Sequence, residues 1–472
     1  MDICTRATWF IVAIWFIACI AMLNYNGAFF DEGIYVTGGL RTLEGHGLSD
    51  RYLSWFGGSL FWPVLAGVGY ELGGIVGARV IAVLVGAVAL GAVARAARNL
   101  FNSRVGFWTA LAFAINSAFI AMARLAVYDA LALAGVAVSF WAVTELACKD
   151  HRGWLALAAV AYTAAIFAKY PMGLMLAPIL GVLIHQRQGR APTDIAIFGF
   201  ITGALSLAFF LPVREQLSAF FSWRLSNTPS FGISLSAIAM VIGYFSFAPV
   251  LLTVGGWWVA SKRDKCTLAS ILGLSLLIWP AYHLLRQDPV STNKHLVFGF
   301  LFAYPLVGLA LAWLWERDKV LLGRRLAITI VVGLAALGWV QVKQSDQAWP
   351  DHRAGAHYLV EQVEPGQQLL IDESWPYTMY LYSAGCIEAP WDVYDNYRVE
   401  HEELPVDLCE FDWLVNVKGS YAWPDEFLDT IEQCDRFESV FSDTSTVVGL
   451  GSNLRYVSYP VETVILRNTM ER

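Results

Sequence analysis

Residues Ile75–Ala94 read IVGARVIAVLVGAVALGAVA, twenty residues with a single charge, Arg79. About 20 mostly apolar residues in a helix cross a bilayer core. In lipid the backbone polar groups must be satisfied within the segment, so a run of this kind is a helix. Comparable runs occur at Ile11–Leu23, Val105–Ala123, Ala130–Ala147 and Trp154–Ala168, and they continue to Gly338. Composition agrees with the pattern. The 472-residue chain is 57% hydrophobic and 15% charged, with mean hydropathy +0.52, whereas a soluble domain carries about 25% charged residues.

Eleven spans are expected, at 8–24, 75–97, 105–123, 129–147, 154–168, 170–186, 194–213, 234–260, 268–285, 294–315 and 326–343. The first lacks the basic flank and small-residue cleavage site of a signal peptide and reads as a retained span. Ser59–Gly73 is apolar but short and broken by Pro63, which suits a helix lying at the interface. In this topology one side carries fifteen Lys and Arg and the other nine. Lys and Arg collect on cytoplasmic loops, so the richer side is cytoplasmic and the C-terminus lies outside.

Charge also divides the chain. Residues 344–472 hold 24 acids and 7 bases, whereas residues 1–343 hold 15 acids and 25 bases. The expected domains are a transmembrane domain at 1–343, with a first outer loop at about 24–74, and an acidic extracytoplasmic α/β domain at 344–472. An acidic tail of this kind argues against nucleic acid as a partner. In it, 352–363 has helical spacing, 368–371, 412–417 and 455–465 read as strands, and 425–434 as a helix. Pro460 marks an edge or a break. Cys386, Cys409 and Cys434 allow one disulfide in an oxidising compartment, with the pairing open.

Chemistry concentrates at the outer ends of the spans. Asp31 and Glu32 follow the first span in Phe29-Phe30-Asp31-Glu32-Gly33. Carboxylates near lipid are costly unless paired or useful, although adjacent acids are also ordinary at the start of a solvated loop. Asp129 opens a helix five residues after Arg124, where an N-cap role would be adequate. Lys169-Tyr170-Pro171 and Lys294-His295-Leu296 stand at two further span ends, where a lysine can simply snorkel. Their shared face is what singles them out. Acids and bases together at one surface suit a substrate with both a hydroxyl and a phosphate.

The order of these motifs resembles the GT-C glycosyltransferases, in the branch of protein O-mannosyltransferases and lipid A aminoarabinose transferases. The resemblance runs over roughly 8–343: an acidic pair after the first span, Arg124 to Asp129-Ala130-Leu131, Lys169-Tyr170-Pro171, then Lys294-His295-Leu296 with Pro305. Tyr170 stands where the family has a small residue, and Lys294-His295 where it has Arg-Tyr. The resemblance implies an α-helical polytopic enzyme of the bacterial inner membrane. It would take a sugar from a polyprenyl-phosphate donor, with inversion, onto a glycan, lipid or protein acceptor. Asp31 would be the base and Glu32 its neighbour in orienting substrate. Lys169, Tyr170, Lys294 and His295 would hold the donor phosphate, and Asp129 would hold the first loop through Arg124 or Arg51. No cofactor is required, but Asp31, Glu32 and Asp129 are oxygen ligands of the kind that suit Mg²⁺ or Mn²⁺. The alternatives are a transporter or flippase of a lipid-linked substrate, which would place charges near the midplane, and a non-catalytic assembly subunit.

Overall fold

The computed structural model describes residues 2–46, 56, 59, 61–226, 235–287, 291–317, 321–395, 407–418, 431, 434–450 and 456–469. Among them, eight helical stretches are long and apolar enough to cross a bilayer. The bent pair Ser103–Ala114 and Ser117–Ala123, broken by 68°, raises this to nine. Each expected span falls on a helix. The 41-residue stretch Tyr170–Phe210 holds two helices, Leu176–Arg187 and Ala191–Phe210, parted by a short turn at Gln188–Arg190. Gly153–Ala168 is a further apolar helix, shorter than a span usually is. The protein is an integral membrane protein.

The chain forms two compact units. One comprises Met1–Leu23, Leu48–Trp62 and Arg79–Val342; the other comprises Asn24–Gly47, Pro63–Ala78 and Lys343–Arg472. Helix Phe61–Leu100 passes from one to the other. Its regular backbone fails at Gly73 and Gly74, the latter at φ 58°, so the arm before the break is a separate helix and not part of a long span. The interface position expected for Ser59–Gly73 is compatible with that break.

In the helical unit, Thr292–Glu316 is the central element, buried along nearly its whole length. Glycines allow neighbours to reach it: Gly256 faces the Leu306 carbonyl, and Gly308 faces Thr109. Small residues at such crossings let helices pack closely where lipid supplies no hydrophobic drive. At the 68° bend, Asn116 caps the second short helix by accepting from the Phe119 amide at 2.9 Å. Its own amide donates to the Tyr304 hydroxyl at 2.7 Å. Trp62 Nε1 donates to the Ala126 carbonyl at 2.9 Å, fixing residues of the first loop to the turn before Asp129.

The second unit contains a five-stranded sheet ordered β2-β1-β3-β5-β4. The strands are β1 Leu369–Ile371, β2 Val393–Tyr394, β3 Trp413–Lys418, β4 Phe437–Leu450 and β5 Tyr456–Asn468. β1 is parallel to both β2 and β3, whereas β5 is antiparallel to β3 and β4. The three expected strands and the helix at Arg353–Gln362 are present. β4, β2 and the helix Ser374–Ser383 are additions. The expected helix 425–434 lies largely outside the described residues. β5 is an interior strand, yet Pro460 is tolerated because β3 pairs only with residues 462–467. Among the described residues Pro460 therefore has a single partner, Thr446, so no described ladder bond is lost on its other side. Cys409 and Cys434 form the disulfide, with Cα atoms 5.5 Å apart, and Cys386 is a buried free thiol.

Helix Phe30–Leu43 belongs to this unit and is gripped on two sides. Gly33 packs on the backbone of Trp375 and Pro376, and Gly39 packs on the backbone of Pro63 and Gly67. A Cβ at Gly39 would lie 2.8 Å from Gly67 N and from Pro63 C, and still closer to the Pro63 carbonyl oxygen. Backbone atoms cannot rotate away. Overpacking usually costs ~1–3 kcal/mol, and Gly39→Val is expected at the upper end of that range or beyond it. The check is a lowered thermal midpoint of the purified protein; an unchanged midpoint would show that the helix is not held here.

Candidate active site

The basic cluster follows from a helical hairpin. Helices Tyr128–Lys149 and Gly153–Ala168 are joined by three residues and packed antiparallel, with Gly135 against Ala161 and Ala165. The start of the first helix and the residue after the second therefore lie at the same end. Lys169 leaves helical geometry (φ −152°, ψ 106°), and Pro171 begins a short 3₁₀ turn after it. Its ammonium then reaches Asp129 in a buried ion pair and lies 4.9 Å from the centre of the Tyr128 ring. Asp129 sits in the first helical turn, where the helix dipole favours a negative charge.

Lys294, in the first turn of the central helix, is buried and near enough to act electrostatically on the Asp129 carboxylate. Asp129 is thus ion-paired with Lys169 and also feels the charge of Lys294. Tyr170 turns its ring toward Phe210, Phe220 and Phe221, with centroids 5.7–6.0 Å away. The His295 ring lies 4.5 Å from that of Trp279, tilted by 42°, and meets His283 at 2.9 Å.

The structure therefore brings together Lys169, Lys294 and Asp129. Asp129 is paired with Lys169, where the expected partner was Arg124 or Arg51. Arg124 is fully buried and donates to the Met22 carbonyl at 3.0 Å. Arg79, the lone charge of the opening stretch, is equally buried and donates to the Leu23 carbonyl at 2.9 Å. Both cations thus sit at the C-terminal end of the first helix, where its dipole favours them. Arg51 lies outside the described residues.

The acidic pair belongs to the second unit. Glu32 is buried and accepts from the Phe29 amide at 2.9 Å, closing the start of its helix, while Asp31 in the same turn is partly exposed. The segment leading to them is tied to residues 346–353. Asn26 Nδ2 donates to the carbonyls of Asp346 and Trp349 at 3.1 and 3.0 Å, the Gly27 amide to Asp351 at 3.1 Å, and Arg353 to Asn24 at 2.8 Å. Burial works to raise the Asp351 carboxyl, but hydrogen bonds from Arg353 and the Gly27 amide outweigh it and hold the group below the usual carboxylate range.

Sequence reasoning missed the placement of Arg79, Tyr128, His283 and Trp279. Arg79 and His283 did carry a signal, since an ionisable residue inside a span is a functional candidate by default. Among the described residues, no three His, Cys, Asp or Glu side chains gather as a metal site.

Residues 61–214 match the family model described as dolichyl-phosphate-mannose-protein mannosyltransferase. The structure is similar to that of ArnT from Cupriavidus metallidurans bound to undecaprenyl phosphate, with TM-score 0.62, 16% identity and 97% of each chain covered. It is also similar to the Archaeoglobus fulgidus oligosaccharyltransferase tethered to an acceptor peptide, with TM-score 0.58, 9% identity, and 96% of this chain and 74% of that one covered. A stretch of 110 residues is 31% identical to a component of the NADH-quinone oxidoreductase of Rhodopseudomonas palustris; it covers 23% of this chain and about a third of that protein's length. The 110-residue match is local, whereas the ArnT likeness extends over both units, and the protein therefore has the fold of the GT-C glycosyltransferases.

Proposed function

We propose that the protein transfers a sugar from a polyprenyl-phosphate donor to an acceptor hydroxyl at the outer membrane face, with inversion. The observation that carries this reading is the buried Asp129–Lys169 pair with Lys294 beside it, on a fold whose relatives include an ArnT bound to undecaprenyl phosphate. Lys169 and Lys294, with His295, bind the donor phosphate and neutralise the charge that grows on it as the glycosidic bond breaks. The leaving group is already an anion, so no general acid is needed. The phenylalanines around Tyr170 suit the isoprenoid chain. Asp31 takes the proton of the acceptor hydroxyl as that oxygen attacks the anomeric carbon, and Glu32 holds the turn that carries it. The resident membrane is the bacterial inner membrane, with residues 344–472 outside. No step is routed through a metal.

The test is to supply membranes containing the protein with labelled polyprenyl-phosphate sugars and follow the label. Transfer to a glycan, lipid or protein that depends on the chain supports the reading. Movement of the intact donor across the bilayer, without transfer, would replace it with a flippase. Lys294→Met is expected to raise the donor KM at least tenfold, about the loss expected for a hydrogen bond to a charged group, while thermal stability changes little. Equal loss of stability and donor use would make Lys294 structural.

A further inference from the structure

Residues 27–33 carry Asp31 between two glycines, and each glycine lies against a different piece of the second unit. At one end Gly27 meets 351–352: its amide donates to Asp351 Oδ1 at 3.1 Å, and a Cβ on it would lie 3.2 Å from the His352 amide nitrogen. At the other end a Cβ on Gly33 would lie 2.9 Å from the Pro376 nitrogen, and closer still to the Trp375 carbonyl. The two supports belong to different stretches of the chain, and a side-chain bond joins them. His352 Nε2 lies 2.7 Å from Glu373 Oε2, with the two residues 1% and 6% exposed. Glu373 stands directly before helix Ser374–Ser383 but does not cap its amides; its carboxylate crosses to His352. The contacts close a ring that runs from Gly27 to His352, Glu373, Trp375 and Gly33, and back along the chain through Asp31. All of these residues lie in the second unit.

We infer that His352 and Glu373 are positioning residues: their hydrogen bond ties the two supports together and so fixes the turn that carries Asp31. The inference rests on the base role given to Asp31. A base works only within hydrogen-bond reach of the proton it takes, and a misplacement of ~1 Å can cost about 10²-fold in rate. Both supports meet the segment at glycines, through backbone atoms. A shift of either is therefore passed on with no side chain to absorb it. Stability alone does not call for this pair, since apolar groups of similar volume often replace buried charges at little net cost. An apolar contact does not set length and direction, however, and a hydrogen bond does.

The experiment measures turnover and donor KM with a labelled polyprenyl-phosphate sugar, in membranes containing the full-length protein. His352→Phe and Glu373→Leu remove the bond. Glu373→Gln keeps it, because an amide also hydrogen-bonds to an imidazole. Each is made with Asp31 present and with Asp31→Asn. Expected for His352→Phe and Glu373→Leu is a turnover loss of about ten- to a hundredfold at unchanged donor KM, with most of the turnover regained in Glu373→Gln. In the Asp31→Asn background the same substitutions should have no further effect, since residues that act as a unit are not additive. The inference is overturned if His352→Phe and Glu373→Leu turn over like the unaltered protein. It is also overturned if they lose the same factor again beside Asp31→Asn, as a general loosening of the fold would. If neither variant folds, Glu373→Asp decides, because it keeps the charge and shortens the reach by one carbon. A fall in its turnover at unchanged KM supports the inference, and unaltered turnover overturns it. Unaltered turnover by Asp31→Asn alone would instead remove the base reading itself.

Discussion

Asp31→Asn is expected to lower the turnover of sugar transfer by ~10²–10⁴-fold, the usual contribution of a positioned base, with the donor KM and the yield of protein unchanged. The substitution keeps the size of the side chain and removes its negative charge, and with it the ability to take a proton. Asp31 stands in the first turn of helix Phe30–Leu43, and that turn is fixed independently of it. Glu32 accepts from the Phe29 amide, Gly33 packs on the Trp375 backbone, and residues 24–27 are tied to the 346–353 segment. A fall in turnover alone is thus readable as chemistry. A loss of donor affinity instead would assign Asp31 to the donor side, and unchanged transfer at normal expression would end the base assignment.

The membrane part of the fold is legible because each segment declares itself locally. Twenty apolar residues need no partner to be read as a span, and Gly73-Gly74 and Pro63 mark where an apolar run is too short to be one. The Asp129–Lys169 pair is legible only in half. Both residues can be singled out by their position at span ends, but their contact depends on the register of a hairpin whose two helices are apolar on every side. Sequence proximity then favours Arg124 as the partner, five residues away. In the structure the helix before Arg124 ends at Ala123, and the guanidinium is drawn to the carbonyl end of the first span. The His283–His295 contact is less visible still. It joins residues on two helices, and nothing in Ile278-Trp279-Pro280-Ala281-Tyr282-His283 announces the ring opposite.

The tail is harder to read for a different reason. β4 (FESVFSDTSTVVGL) is rich in Ser, Thr and Asp, residues that also favour turns. It becomes a strand by pairing with β5. Helix Ser374–Ser383 contains Pro376 and three tyrosines, a weak helical composition. It forms where its backbone supports Gly33 of helix Phe30–Leu43. Neither the first loop nor the tail, taken alone, contains that contact, and a domain boundary drawn at 343 separates two segments that fold together.

The second large effect concerns the buried ion pair. Lys169→Met should destabilise the protein by about 3–5 kcal/mol, the penalty for leaving one member of a buried pair uncompensated. Lys294 also acts on the Asp129 carboxylate and moves the expectation toward the lower end. Removing both charges, in Lys169→Met with Asp129→Leu, should restore most of the thermal midpoint, because apolar groups of similar volume often replace a buried pair at little net cost. Sugar transfer should be lost in both variants, since the donor phosphate has lost a cation in each. The double variant thus separates a pair kept for stability from a cation kept for substrate. If it is stable and still transfers sugar at the unaltered rate, Lys169 is scaffold and the phosphate must be held elsewhere. If the single variant melts like the unaltered protein, the Asp129 charge has other compensation and the pair is not what closes the hairpin.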